Sequence, residues 1–298
     1  MSTVDQRSSQ LLDSELVRVF DVCCDAHQSG FGGYEMVAVG QVVLTRRGVF
    51  LVERGGEVMA VDTNTVLVLA KDDPYRVSHP VAGGDDTTVF VYPPEMLTTA
   101  LGADSTCQGV LRPADQLALS LTRRTLVGGL ETPLDGEERC MFLLRKLVEV
   151  LPIAVRDQTS LGPGQRLRIH RARALLASEP TRSWDLAAVA RALDSSPFHL
   201  ARQFRCMTGE TIGRYLLRLR LAIAIRRLAD GEDDLMKLAC DLGFAHHSHF
   251  SARFRAVFGL SPSELRRRLT GRGMQDLAIS QVGLDAVGGI GGRTCARP

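Results

Sequence analysis

Residues Leu193 to Gly209 read LDSSPFHLARQFRCMTG, and Gly243 to Gly259 read GFAHHSHFSARFRAVFG. Aligned without a gap at an offset of 50, they place His199 on His249, Leu200 on Phe250, Phe204 on Phe254, Arg205 on Arg255 and Gly209 on Gly259. Ala190 then falls on Cys240 just upstream. A unit that occurs twice implies a contact made twice, so the repeat decides how the rest of the chain is read.

Each copy has the pattern of a helix-turn-helix. In the first, Asp185 precedes LAAVARAL, whose Leu186, Val189, Ala190 and Leu193 are expected to be buried. Asp194-Ser195-Ser196 turns the chain, Ser196 is placed to cap, and Pro197 suits the first position of a second helix. That helix buries Leu200 and Phe204, one turn apart, and so directs Phe198, Ala201, Arg202 and Arg205 outward. The second copy runs from Leu235 to Leu242, turns at Gly243 and restarts near His246. Its Phe250, Phe254 and Phe258 form the buried stripe, leaving His247, Ser248, Ser251, Ala252 and Arg255 outside. Between the copies, Thr211 to Ala229 is helical by period, and its 19 residues span roughly 28 Å against roughly 34 Å for one turn of B-DNA. Two reading helices on such a rod fit two adjacent major-groove segments of one duplex.

Charge agrees with that geometry. The whole chain carries a formal +2, but Leu161 to Arg272 holds 20 basic residues against 10 acidic ones, and the remainder is net acidic. Nearly all of the basic residues are arginines, whose planar fork suits phosphates and guanine edges.

The first half reads differently. Leu11, Leu12, Leu16, Val19 and Phe20 suggest one helix before residue 34. From Met36 to Tyr92, short β-branched runs (MVAVGQVVL, GVFLVE, EVMAV, TVLVLA, YRVSH, TTVFVY) alternate with turn-forming breaks, the pattern of a small antiparallel barrel or sandwich. Helical stripes follow at Leu117, Leu121 and Leu126, and at Met141, Leu144, Leu147, Val148 and Leu151; they suit packing on the strands or pairing with a second subunit. DQTSLGPG at 157–164 has linker composition, and the glycine-rich tail 271–298 is expected to be disordered.

From about Arg166 to Leu269 the chain resembles the DNA-binding domain of the AraC/XylS family of transcriptional regulators. The resemblance rests on GF-x5-F-x3-F-x3-FG-x-SP from Gly243 to Pro262 and on YLLRLRLAIAIRRLA at 215–229. Residues 36–95 with the two following helices resemble, less specifically, that family's cupin-like barrel and dimerisation helices. The resemblance implies an α+β multidomain protein: a cupin-like regulatory half at 1–156, a linker at 157–164 and an all-α half with two helix-turn-helix units at 165–270. By position it implies base reading by Phe198, Ala201, Arg202, His247, Ser248, Ser251 and Ala252, and phosphate contact by Arg205 and Arg255. This chain departs from the family in having Ala252 where a long polar reader is common, and Leu265 in place of an aromatic.

The implied partners are double-stranded DNA, a second copy of the chain, a small-molecule effector in the barrel and, for an activator, RNA polymerase; a regulator without a ligand is the alternative. No apolar run approaches the roughly 18 residues of a membrane span, and no secretory leader is visible, so a cytoplasmic address is expected. The seven cysteines are scattered and form no CxxC. His246, His247 and His249 suit DNA contact and capping rather than zinc, since 247 and 249 diverge by about 200° on a helix. Cys23, Cys24 and His27, with the distant His79, Asp85 and Asp86, are the residues a thiol or metal sensor would use. GxSxG, HExxH and P-loop motifs are absent, His79 stands without the HxH pair of a metal cupin, and neither an enzyme nor a bound cofactor is expected.

Overall fold

The computed structural model describes residues 6–25, 30–81, 83–101, 106–128, 132–149, 151 and 161–270. His27, Cys295, positions 157–160 of the expected linker and the tail 271–298 lie outside the described residues.

The first half is built from β1 (Gln6–Asp13), β2 (Arg18–Cys24), β3 (Glu35–Met36), β4 (Gln41–Arg47), β5 (Val49–Arg54), β6 (Glu57–Asp62), β7 (Thr65–Leu69), β8 (Pro74–Ser78), β9 (Asp85–Val91) and β10 (Cys107–Val110). The runs between Met36 and Tyr92 fall on the expected strands. The helix expected before residue 34 is instead the β1–β2 hairpin. Its spacing fits a helix, but Val19 and Val22 are β-branched, and β2 gains a full antiparallel ladder to β9, from Arg18↔Val91 to Cys24↔Asp85.

Strand order is β1-β2-β9-β4-β7-β10 in one sheet and β3-β8-β5-β6 in the other. Strand β7, between β4 and β10, is buried along its whole length, and its alternation shows why. Leu67 and Leu69 meet Val43, Phe50, Val52 and Val61 between the sheets. Val66 and Val68 join Val42, Leu44 and Phe90 beneath helices α1 (Pro94–Leu101), α2 (Pro113–Gly128) and α3 (Pro133–Val148). A closed barrel was expected, but among the described residues the ladders do not close. The outer edge of β6 is completed by side chains rather than by a strand: Ala60 N–H donates to His170 Nδ1 at 3.0 Å, and Ala60 C=O accepts from Gln108 Nε2 at 2.5 Å and Arg173 Nη2 at 2.6 Å.

The second half is helical: α4 (Pro163–Ser178), α5 (Leu186–Ala192), α6 (Pro197–Thr208), α7 (Ile212–Ala229), α8 (Leu235–Asp241), α9 (His247–Phe258) and α10 (Pro262–Thr270). Each helix-turn-helix unit shares its core with a different part of the first half. Val49 and Ala60 pack with Ile169, Ala172, Val189, Leu200, Phe204 and Tyr215 around the first unit. Leu117 and Leu121 of α2 pack with Leu221, Ile225, Leu228, Phe250 and Phe254 around the second. Helix α7 therefore has no single apolar stripe, being covered on several sides. No helix among the described residues is long and apolar enough to cross a membrane.

A buried polar network seals this junction. Arg173 Nε reaches Tyr215 Oη at 2.9 Å and Asp62 Oδ2 at 3.4 Å, and Tyr215 O–H donates to Asp62 Oδ2 at 2.7 Å. Asn64 Nδ2 donates to Tyr215 O at 3.1 Å, while Gln116 Nε2 donates to Thr63 O and Asn64 Oδ1 at 2.7 and 2.8 Å. Burial pulls the Arg173 guanidinium down, but Tyr215 and Asp62 outweigh it and hold the group above its usual range.

Candidate nucleic-acid interface

Both units form from local signals. Asp185 accepts from Ala188 N–H at 2.6 Å to start α5, and Ser196 accepts from His199 N–H at 3.3 Å to start α6, with Pro197 in the first turn. Asp234 caps α8 by accepting from Met236 and Lys237 N–H. Gly209 and Gly259 end the second helices in the left-handed conformation, each N–H donating back to the carbonyl of Arg205 or Arg255.

The gap-free alignment at offset 50 holds only for the second helices. The first helices superpose at offset 49: Asp185 caps α5 as Asp234 caps α8, and Val189, Ala190 and Leu193 correspond to Leu238, Ala239 and Leu242. Ala190 is thus the counterpart of buried Ala239, not of exposed Cys240. The second turn is one residue longer. Its positive φ falls on Gly243 (+74°), whereas the first turn uses Asp194 (+48°). A Cβ at Gly243 would stand 2.6 Å from Thr181 O. Leu186, expected in the core, is 38% exposed at the start of α5.

The outward faces are as follows. Phe198 is 73% exposed, Arg202 and Arg205 are exposed, and Ala201 is half-buried. Among the described residues Arg202 and Arg205 have no carboxylate partner, so both guanidinium groups are available to an anion. On α9, His247, Ser248 and Ala252 are exposed, and half-buried Ser251 lies 3.4 Å from His247 Nε2. Arg255 differs from Arg205 because its Nη2 meets both carboxylate oxygens of Glu264 at 2.8 Å. The Ser261 backbone N–H at 2.6 Å, with Arg255 and the Ser261 hydroxyl, holds the Glu264 carboxyl down at about 2. Ser261 and Glu264 form a capping box for α10. His246 occupies the N-cap of α9 but makes no side-chain capping bond, contrary to expectation; His249 Nε2 accepts from Arg253 Nε at 3.2 Å.

Beside α9 lies a cleft of about 1120 Å³ between α2 and α3 on one side and α7 and α9 on the other. Leu117, Phe142, Leu216, Leu217, Phe244 and Val257 give it apolar walls, and Arg214, Arg220 and Arg253 bring cationic groups to it. Arg220 also ties the halves of the reader together, donating to Pro180 O at 2.7 Å, Arg182 O at 2.9 Å and Gly243 O at 3.3 Å; burial pushes its guanidinium below the ordinary value. Sequence reasoning missed this cleft, since its walls come from four separated helices. The run of arginines at 214, 218 and 220 was its one visible sign.

Comparison with known proteins fits these observations. A helix-turn-helix domain model matches residues 189–268. The transcriptional activator RhaS of Escherichia fergusonii is 42% identical over 85 residues, covering 28% of this chain and 30% of RhaS. The regulatory protein SoxS of Salmonella typhimurium is 35% identical over 85 residues, covering 28% of this chain and 79% of SoxS. The chain belongs to the AraC/XylS family. The match of this AraC/XylS protein to RhaS spans less than a third of the length of RhaS. Over 89% of the chain and 98% of the other, the structure is similar to ToxT of Vibrio cholerae O395 at 14% identity, with a TM-score of 0.34.

Proposed function

We propose that the protein is a sequence-specific DNA-binding transcriptional regulator. It reads two adjacent major-groove segments with α6 and α9. The observation that carries this reading is the pair of helix-turn-helix units that bury Leu200 and Phe204 in one and Phe250, Phe254 and Phe258 in the other, while Phe198, Arg202 and Arg205 face out, the two arginines with no neutralising carboxylate among the described residues. In this reading Phe198, Ala201 and Arg202, then His247, Ser248, Ser251 and Ala252, meet bases, and Arg205 holds a phosphate. Arg255 contributes less, because Glu264 already occupies it. The experiment is footprinting on DNA selected from a random pool. Two protected boxes about 10 base pairs apart support the reading; a single box, or binding indifferent to sequence, overturns it.

Residues 1–156 act as the regulatory half and 165–270 as the reading half. The cleft between them, lined by apolar side chains together with Arg214, Arg220 and Arg253, suits a small organic acid whose body lies against Leu117 and Phe142. Such a ligand touches both halves and so biases how α9 is presented. Thermal-shift screening with organic acids tests this. A purely contact-driven regulator is the second reading, favoured by the space between the sheets being filled by Val43, Phe50, Val52, Val61 and Leu67. The cupin-like description of the first half rests on its two packed antiparallel sheets. Exposed Val127 and Leu134, on neighbouring helices, support pairing with a second copy, which sedimentation measures. Activation is proposed after the named role of RhaS, and an activator would take RNA polymerase as its partner.

A further inference from the structure

Strands β2 and β9 place two cysteines opposite two aspartates, Cys23↔Asp86 and Cys24↔Asp85. Successive strand residues point to opposite faces, so the two pairs have different surroundings. Asp86 is taken by Arg47, whose Nε and Nη2 donate to it at 2.8 and 3.1 Å. On the other face, His79 follows β8 and stands between Cys24 and Asp85. Its Nδ1 is 2.7 Å from Asp85 Oδ1, and its Nε2 is 3.6 Å from Cys24 Sγ. The loop before β9 is pressed against the end of β2: a Cβ at Gly84 (φ +62°) would stand 1.6 Å from the Cys24 carbonyl oxygen.

A carboxylate beside Nδ1 favours the neutral tautomer with its hydrogen on Nδ1, the one in which Nε2 presents a lone pair to the thiol. That is the order of a nucleophile, its base and the group that orients the base. The three ligand-type atoms also lie close enough to suggest a metal. With Oδ1 of Asp85 holding Nδ1, the donors left are Sγ, Nε2 and the second Asp85 oxygen, at most the three protein ligands of an open zinc site and short of a closed one, so zinc is the competing occupant that the test must separate. Cys24 and Asp85 are buried, and the His79 side chain is 14% exposed, so the approach admits only a small reagent.

We propose that Cys24 is a site of oxidation by small hydroperoxides, with His79 as its base and Asp85 as the positioning residue. His79 Nε2 takes the thiol proton, and Cys24 Sγ attacks one peroxide oxygen. The S–O bond forms as the O–O bond breaks, and the leaving alkoxide or hydroxide takes the proton from His79. The sulfur is oxidised by two electrons to a sulfenic acid, and the hydroperoxide is reduced to an alcohol or water.

The test treats the folded full chain with hydrogen peroxide for timed intervals, unfolds it in urea containing dimedone so that every sulfenic acid is reached, and follows each cysteine by peptide mass spectrometry. Cys24 is expected to label at least about tenfold faster than exposed Cys240. His79→Gln is expected to remove that advantage, and Asp85→Asn to reduce it, with Cys240 labelling and the melting temperature unchanged as internal controls. Labelling of Cys24 no faster than Cys240 in the unsubstituted chain overturns the proposal without any variant. So does an advantage that survives His79→Gln in a folded protein. Retention of one zinc ion per chain after gel filtration with zinc chloride, with Cys24 protected from label, replaces the proposal with a metal site.

Discussion

Replacing Asp62 by alanine tests the junction between the two halves most directly. The Asp62 carboxylate is fully buried and accepts from Tyr215 O–H at 2.7 Å, Arg173 Nε at 3.4 Å and Asn64 N–H at 2.9 Å. Arg173, itself buried, then keeps neutral partners: Ala60 O, Gln108 Oε1, the Tyr215 hydroxyl and His170 Nδ1. An unpaired buried guanidinium costs about 3–5 kcal/mol. Arg173→Met alone is expected to cost a similar amount, but the double variant should cost less than the sum, by about 1–3 kcal/mol, because neither charge is then stranded. Tyr215→Phe should cost about 1–3 kcal/mol by leaving both partners short of one bond. Urea unfolding followed by tryptophan fluorescence measures all four; Trp184, the single tryptophan, lies in the reading half. Because Asp62 is on β6 while Arg173 and Tyr215 are on α4 and α7, the single variants should also separate the calorimetric transition into two. Additive costs within about 0.5 kcal/mol would refute the assignment of this pair as the coupled centre of the junction.

Arg202→Ala is expected to weaken binding by about 1–3 kcal/mol and relax preference at one position, measured by titrating base-substituted duplexes; changes at Phe198 or Arg202 should damage discrimination more than changes at Ser251 or Ala252. His170 Nδ1 accepts the Ala60 N–H, and burial, with Arg173 and Arg166 nearby, holds its imidazole well below the usual value. The unfolded chain therefore takes up this proton first, and stability should fall as pH drops below about 6.5, by up to about 1.4 kcal/mol per unit; a His170→Gln variant should lose that slope in unfolding titrations from pH 7.5 to 5. Gly243→Ala should destabilise the reading half by about 2–4 kcal/mol through positive φ and the Thr181 carbonyl, whereas Asp194→Gly should be neutral or stabilise by up to about 1 kcal/mol. Equal and same-signed effects in thermal melts would contradict the two-turn comparison.

The second half was legible because its signals are local. Asp185, Ser196, Pro197, Gly209 and Gly259 act within one or two turns of their own positions, and the phenylalanine stripe fixes which face of α9 is inward. The strands from Met36 to Tyr92 were legible for the same reason. The β1–β2 hairpin was not, since its stability comes from β9, more than 60 residues away in the chain. His170 and Arg173 were likewise invisible: within α4 they look like two more polar residues of a basic helix, and only the open edge of β6 gives them a purpose. Cys24, His79 and Asp85 were singled out by residue type alone; their order in space depends on strand register. The repeat itself misled in one respect, because sequence identity in the second helices imposed their offset on the first.

That extra residue in the second turn, with the different side chains of α6 and α9, leaves the two units unlike each other. A two-fold symmetric reader cannot tell a duplex from the same duplex turned end for end. Two unequal units in tandem can: their target has a head and a tail. If the protein acts as proposed, inverting its site in front of a gene amounts to a new site, facing away from the start of transcription.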